Sequence, residues 1–241
     1  MKKPSLNLVV LNNCDIYKQL ELEEALLRAD DENWCIFNFG SNDAIVLGIS
    51  SKPEEMINID KLHDKPIQII KRFSGGGTVY VDKETLFITF ICNKKADLSH
   101  CYPEPILKWG ENFYKPVFNH PHFKLNENDY AFNDKKIGGN ALYIRKDRWL
   151  LHTSFLWDFD INKINLLKHP PKVPSYRNKR SHGDFLTKLK DYYLDINFLR
   201  DSFLHTLHHQ FDIHLKLDYL PQNYLQKEYR RSLKDLKIDD L

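Results

Sequence analysis

No apolar run in this 241-residue chain approaches the roughly 18 consecutive residues that a membrane-spanning helix requires. The best candidate, residues 86–92 (LFITFIC), has the length of a buried strand. Nor is a secretory leader expected. Two lysines open the chain, but the apolar stretch at residues 8–11 breaks off in Asn12-Asn13-Cys14-Asp15, and the Arg/Ser richness of a transit peptide is missing. Cysteine is scarce: Cys14, Cys35, Cys92 and Cys101 show no CxxC spacing, which argues for reduced thiols and against a disulfide framework. Neither sign of charge dominates, since 35 Lys and Arg face 33 Asp and Glu for a formal charge of +2. A dedicated nucleic-acid coat is thereby excluded, and any attraction to anions has to be local. There is no Pro/Gly/Ser-rich linker, internal repeat or low-complexity tract. With 42% hydrophobic residues and a mean hydropathy of −0.53, the expectation is a soluble, cytoplasmic chain folding as a single domain over residues 1–241, with neither membrane nor nucleic acid as partner.

What the chain does contain is a strand-rich middle flanked by helices. Leu22, Ala25, Leu26 and Ala29 recur at helical spacing and predict a helix over residues 19–30, with Glu21, Glu23, Glu24 and Arg28 on its polar face. Short apolar runs bounded by Gly, Ser, Asn and Asp predict strands at 34–39, 44–49, 67–70 and 85–92. Residues 103–118 read as a helix, and 123–157 alternate strand-like runs with turns. Pro170, Pro171 and Pro174 forbid a continuous helix in the irregular stretch 158–190. A helix over 196–210, a strand over 211–217 and a last helix over 222–236 complete the prediction. The order lacks βαβα alternation, so the expected class is α+β, with a mixed or antiparallel central sheet and helices packed on a face. His205, His208 and His209 have a spacing that suits a metal, but no Cys or carboxylate cluster accompanies them and they read as a polar helix face. His152 reads as a satisfied structural histidine, and Trp149, Tyr192 and Tyr193 as core.

Two segments carry chemistry. Three of only nine glycines stand in one run, Ser74-Gly75-Gly76-Gly77-Thr78, after Lys71 and Arg72 and between two predicted strands. Such a run suits a close approach of backbone to a ligand, with backbone N–H groups and Arg72 facing a phosphate or carboxylate. It is neither a Walker A loop nor a dinucleotide fingerprint. A glycine-rich hairpin corner explains the glycines equally well. The second segment is Asn128-Asp129, then Lys136-Ile137-Gly138-Gly139-Asn140-Ala141, where a lysine beside two glycines is either aimed at an anion or sits on a solvated hairpin tip.

In this order and at this separation, the segments resemble the lipoate–protein ligase A family, marked by Arg-Arg-x-Ser-Gly-Gly-Gly-x-Val-x-His-Asp, Asn-Asp and Lys-Ile-Ser-Gly-x-Ala. Residues 44–48 (AIVLG), 151–156 (LHTSFL) and the stretch from Pro174 to Leu186 resemble further family segments. The resemblance spans roughly residues 8–215. It implies the biotin/lipoate-ligase catalytic fold, akin to class II aminoacyl-tRNA synthetase cores. It also implies activation of lipoate by ATP, with Mg²⁺, to lipoyl-AMP, followed by transfer to a lysine of an apo lipoyl domain. The carriers implied are acyltransferase subunits of 2-oxoacid dehydrogenases or the glycine-cleavage H protein. Carried over residue by residue, Lys136 becomes the catalytic residue. Arg72, Ser74, Gly75, Gly76, Gly77, Thr78, Val79, Tyr80, Asn128, Asp129, Lys136, Gly138, Ala141, Arg177 and Arg180 become the ATP and lipoyl-AMP contacts. Val46, Ile69 and Phe87 are candidates for the wall of the acyl tunnel.

Departures are informative. Val81 stands where the family has His, Gly138 where it has Ser, and Leu151-His152-Thr153-Ser154 where it has His-His-Gly-Thr. From its length, the chain is expected to lack the small C-terminal accessory domain of many members. Two alternatives follow: a separate accessory protein completes the activation, or a compact enzyme uses preformed lipoyl-AMP. A cysteine-dependent octanoyl- or lipoyltransferase fits poorly, because no cysteine follows Cys101. Biotin–protein ligases differ at the glycine loop. A non-catalytic module that holds lipoate or a lipoyl domain is the alternative from another class.

Overall fold

The computed structural model describes residues 2–62, 67–94, 102–169, 173–216 and 222–237. Cys101, Pro170, Pro171 and Leu217, which entered the expectations above, lie outside the described residues. Among the described residues, twelve strands form two sheets. The strands are β1 (Ser5–Asn12), β2 (Trp34–Phe39), β3 (Ala44–Leu47), β4 (Gln68–Lys71), β5 (Val79–Val81), β6 (Thr85–Asn93), β7 (Phe123–Asn126), β8 (Asp129–Phe132), β9 (Lys135–Ile144), β10 (Arg148–Leu156), β11 (Asp212–Lys216) and β12 (Lys234–Leu236). The larger sheet runs β11-β1-β2-β6-β10-β9-β8-β7, and the smaller β12-β4-β3-β5. β1 pairs parallel with β2 and β11, whereas β2–β6, β6–β10 and β9–β10 are antiparallel. The class is α+β with mixed sheets, as expected.

Three long helices cover the sheets: α1 (Ile16–Ala29), α2 (Pro103–Phe118) and α3 (Ile196–Gln210). Asp15 caps α1 by accepting from the N–H groups of Tyr17 and Lys18, so this helix starts three residues earlier than periodicity alone places it. Pro103 occupies the first turn of α2, and Asn119 in the left-handed region ends it. Strand alternation sorts the core into two sides. Phe37, Phe90, Trp149, Leu151 and Phe155 pack under α2 and α3, while Ile36, Ile91 and Leu150 face α1. A third apolar cluster, Ile16, Leu20, Val46, Val81 and Phe87, joins the start of α1 and the small sheet to the large one.

Three expectations are corrected here. Glu23 and Glu24 are 0% and 1% exposed, so two of the four residues taken as the polar face of α1 are buried, while Glu21 and Arg28 are partly exposed. Residues 222–236 form only one helical turn, Gln222–Leu225, followed by β12, which adds to the edge of β4. There Glu24 accepts from the N–H groups of Ser232 and Leu233, and such long-range pairing leaves no trace in local periodicity. Tyr192 is exposed rather than core, although Trp149 is fully buried.

Candidate active site

The two glycine-containing segments meet backbone to backbone. Gly75 N–H donates to Leu142 O at 3.0 Å, so the loop between β4 and β5 docks on β9. Gly76 has φ +112°, and a Cβ there would stand 2.6 Å from Asn140 O and 2.8 Å from Arg72 Nη2. Only glycine satisfies both the dihedral and the contact. Arg72, 4% exposed, holds the loop from within: Nη2 donates to Gly75 O (3.1 Å) and Gly77 O (2.8 Å), and Nη1 to Val46 O (3.2 Å). Burial pulls its guanidinium down to about 10, against the opposing charge of Glu23, and leaves it cationic at neutral pH.

Beside the loop lies a cleft between the two sheets, whose empty space of about 510 Å³ runs out into open solvent. Its apolar half is Ile16, Leu20, Val46, Val79, Val81 and Phe87. Its polar half is Arg72, Gly77, Thr78, Asp129, Lys136, Gly139, Asn140, Ala141, His152 and Ser154. Lys136 Nζ lies 2.9 Å from Asp129 Oδ1. A β-bulge puts the lysine there. Tyr130 pairs with Gly138 but Ala131 with Lys136, so Ile137 is an extra residue in β9. Regular alternation from Gly139 would turn Ile137 toward the cleft; with the bulge, Ile137 joins the core under α2 and Lys136 faces the cleft. Gly139 leaves room for the side chain, since a Cβ there would stand 3.0 Å from Lys136 Nζ.

The cleft wall holds donors without acceptors. Among the described residues, Arg72 Nε and Thr78 Oγ1 are buried and unpartnered, as is Ser74 Oγ behind the loop. Buried polar atoms are normally paired, and Arg72 and Thr78, unlike Ser74, belong to residues that line the cleft. Under the wall, His152 Nδ1 lies 2.9 Å from Glu23 Oε1, which also accepts from Gln19 Nε2 and Thr89 Oγ1. A carboxylate oxygen only accepts, so Nδ1 is the protonated nitrogen. His152 is thus satisfied, as expected, but it also lines the cleft.

Other expected residues fall elsewhere. Gly75 and Gly76 attach the loop to β9, and only Gly77 of the three lines the cleft. Tyr80 points away, into the cluster of Ile45 and Ile69, because β5 alternates and presents Val79 and Val81 instead. Ile69 lies in that same cluster and not on the wall. Asn128 is exposed, and its contribution is a carbonyl that accepts from Asn140 Nδ2. Gly138 is a packing glycine, with Phe155 occupying the space of a Cβ at 2.5 Å. Arg177 is buried over Phe185 and donates to Arg180 O, while Arg180 is tied to Asp134; neither lines the cleft. Tyr176, which sequence reasoning passed over, donates to Asp129 Oδ2 at 3.0 Å. Ile16, Leu20, Gly139, Asn140 and Ser154 were likewise missed, because only the tertiary pairing of β9 with β10 and the packing of α1 bring them together. No group of three or more His, Cys, Asp or Glu suited to a metal exists among the described residues, and the helical histidines form none. No described helix is long and apolar enough to cross a membrane.

The profile of the lipoyl protein ligase A/B catalytic domain matches residues 15–211. A Plasmodium falciparum protein named inactive lipoate–protein ligase 2 is 30% identical over 235 residues, covering 73% of this chain and 61% of its own length. The chain spans about half the length of the curated relatives it matches. Among solved structures, lipoate–protein ligase A bound with ATP superposes with a TM-score of 0.73 at 18% identity, covering 93% of this chain and 91% of that one. The bi-partite lipoate protein ligase of Thermoplasma acidophilum, described with its E2 lipoyl domain, gives 0.74 at 18% identity, with 93% and 89% coverage. These likenesses establish the fold.

Proposed function

The chain belongs to the lipoyl protein ligase A/B catalytic-domain family, and from that membership we propose that it is an ATP-dependent lipoate–protein ligase. It joins lipoate to AMP, releases pyrophosphate and passes the lipoyl group to a lysine of a lipoyl domain. The observation that carries this reading is the presence of Lys136 and the glycine loop on one cleft with an apolar half and a cationic half. Attack of a carboxylate on an α-phosphate brings two anions together. The Lys136 ammonium offsets that repulsion and stabilises the charge that builds on the transferring phosphorus, an electrostatic role. Arg72 and Thr78 line the polar side, where they would face the acyl-phosphate oxygens, and Gly77, with no atom within 4 Å of a Cβ position, lets the backbone approach them. Val46, Val79, Val81 and Phe87 exclude water from the alkyl chain. In this reading magnesium enters with the nucleotide as part of the substrate. Residues 1–241 act as one catalytic unit in this reading, because both sheets contribute to one cleft. Support for ATP and for a lipoyl domain as partner comes from the ATP-bound ligase and from the archaeal ligase with its E2 domain.

A second reading is favoured by two observations: the P. falciparum relative is named inactive, and Val81 lines the cleft where the family pattern has a histidine. In it the chain accepts preformed lipoyl-AMP, or only binds lipoate or its carrier. Pyrophosphate release on mixing the protein with lipoate, ATP and Mg²⁺ separates the readings, and lipoyl-AMP supplied with an apo lipoyl domain separates transfer from binding. The first reading predicts release in the wild type and its loss in Lys136→Ala. Normal release by that variant would refute the role of the lysine. In that variant Asp129 still accepts from the Tyr176 hydroxyl, so the fold should survive and circular dichroism should match the wild type.

A further inference from the structure

The segment after Pro174 is fastened to the β8 hairpin by carboxylates at three points. Glu127, in the turn before β8, accepts from Ser175 N (2.6 Å), from Ser175 Oγ and from Tyr176 N (3.3 Å). Asp134, in the turn after β8, receives Arg180 Nη1 at 2.8 Å, and its carbonyl receives Arg180 Nη2. Between them the Tyr176 hydroxyl reaches Asp129 Oδ2 at 3.0 Å, while Oδ1 of the same carboxylate pairs with Lys136. The tether at Tyr176 therefore differs in kind from the other two, because it ends on the ion pair of the cleft. The Tyr176 ring packs on Phe185 at 5.1 Å, which fixes the direction of the hydroxyl. Downstream, Thr187 N–H donates to Lys136 O at 3.0 Å, so the segment holds the lysine's backbone as well. With one oxygen on Tyr176 and the other on Lys136, the carboxylate has one orientation in which both donors are satisfied.

We propose that Tyr176 is a positioning residue: its hydroxyl locks the Asp129 carboxylate, and Asp129 in turn holds the Lys136 ammonium toward the cleft. The catalytic consequence rests on the ligase reading; the positioning itself does not, and the test keeps them apart. Tyr176→Phe retains the ring on Phe185 and removes only the hydroxyl. Trace acetylation of the ligand-free protein with N-hydroxysuccinimidyl acetate, read at each lysine by peptide mass spectrometry, reports how firmly Lys136 is held. The expected result is Lys136 labelling about tenfold faster in Tyr176→Phe than in the wild type, the scale of a lost hydrogen bond to a charged group. Exposed Lys124 serves as the internal standard and should label at an unchanged rate. Tyr193→Phe is the control, because it deletes a hydroxyl that donates to Phe118 O at 2.6 Å, outside the cleft; it should leave Lys136 labelling at the wild-type rate.

Equal Lys136 labelling in the wild type and Tyr176→Phe overturns the proposal, and so does an equal rise in Tyr193→Phe, which would mark general loosening. If the wild type releases pyrophosphate, kcat should fall about tenfold in Tyr176→Phe with KM for lipoate unchanged; a change in KM alone also overturns the proposal. If the wild type releases none while the labelling contrast holds, the ligase reading fails and the positioning role stands.

Discussion

At Gly76 and Gly139 a missing methyl group decides the geometry of the cleft. Gly76 combines φ +112° with a Cβ site 2.6 Å from a backbone oxygen, and neither can relax without lifting the loop from β9. Gly76→Ala should cost about 1–3 kcal/mol, read as a lower urea midpoint, and should weaken lipoate binding measured by calorimetry. An unchanged midpoint would show that the loop is not seated on β9. Gly139 is gentler. The atom its Cβ would meet is the end of a flexible lysine side chain, so Gly139→Ala should displace Lys136 with little effect on stability.

At the scale of elements, β12 controls the outer edge of the small sheet. It pairs with β4, and the chain leaving β4 becomes Arg72 and the glycine loop. The anchor is Glu24, which accepts from Arg28 Nε as well as from the backbone of Ser232 and Leu233. Glu24→Ala would leave a partly buried arginine and two backbone donors unsatisfied, a loss of about 2–4 kcal/mol. Hydrogen exchange should then speed up first at residues 232–236, ahead of β2 at the centre of the large sheet. Simultaneous loss of protection in both would refute the anchoring role. The bulge in β9 acts at the same scale, since one extra residue reverses which side chain faces the cleft.

At the scale of the whole molecule, acid should weaken the fold in two stages. Burial first, then the charges of Arg177 and His169, pushes His182 down to about 4, whereas an unfolded histidine titrates near 6.5. Between those values the unfolded chain binds the extra proton, so stability falls as pH drops from about 6.5 to 4. Asp158 is opposed by burial, but hydrogen bonds from Lys188 and Lys190 outweigh it and bring it to about 2. Its contribution is complete above the ordinary aspartate range and is lost as pH falls through about 2. Urea midpoints at pH 7, 5 and 3 should decline in the wild type. His182→Gln should remove part of the drop between pH 7 and 5 and keep the drop below 4.

Local order was legible where one segment answers to its own pattern. Residues 103–118 and 196–210 are the predicted helices to the residue, and β2 matches its predicted strand, because periodicity and capping act within a few residues. The glycine run and Lys136 stood out for the same reason: each is a local departure from ordinary composition. Tertiary structure alone decided the rest. Burial of Glu23 and Glu24 required partners from β6, β10 and the segment leading into β12, and the aim of Lys136 depended on an extra residue that only pairing with β8 defines. Tyr176 gained a role because a turn nearly fifty residues downstream lies against Asp129. A side chain's face and partner depend on what folds against it, and residues distant in sequence leave no local signal of that.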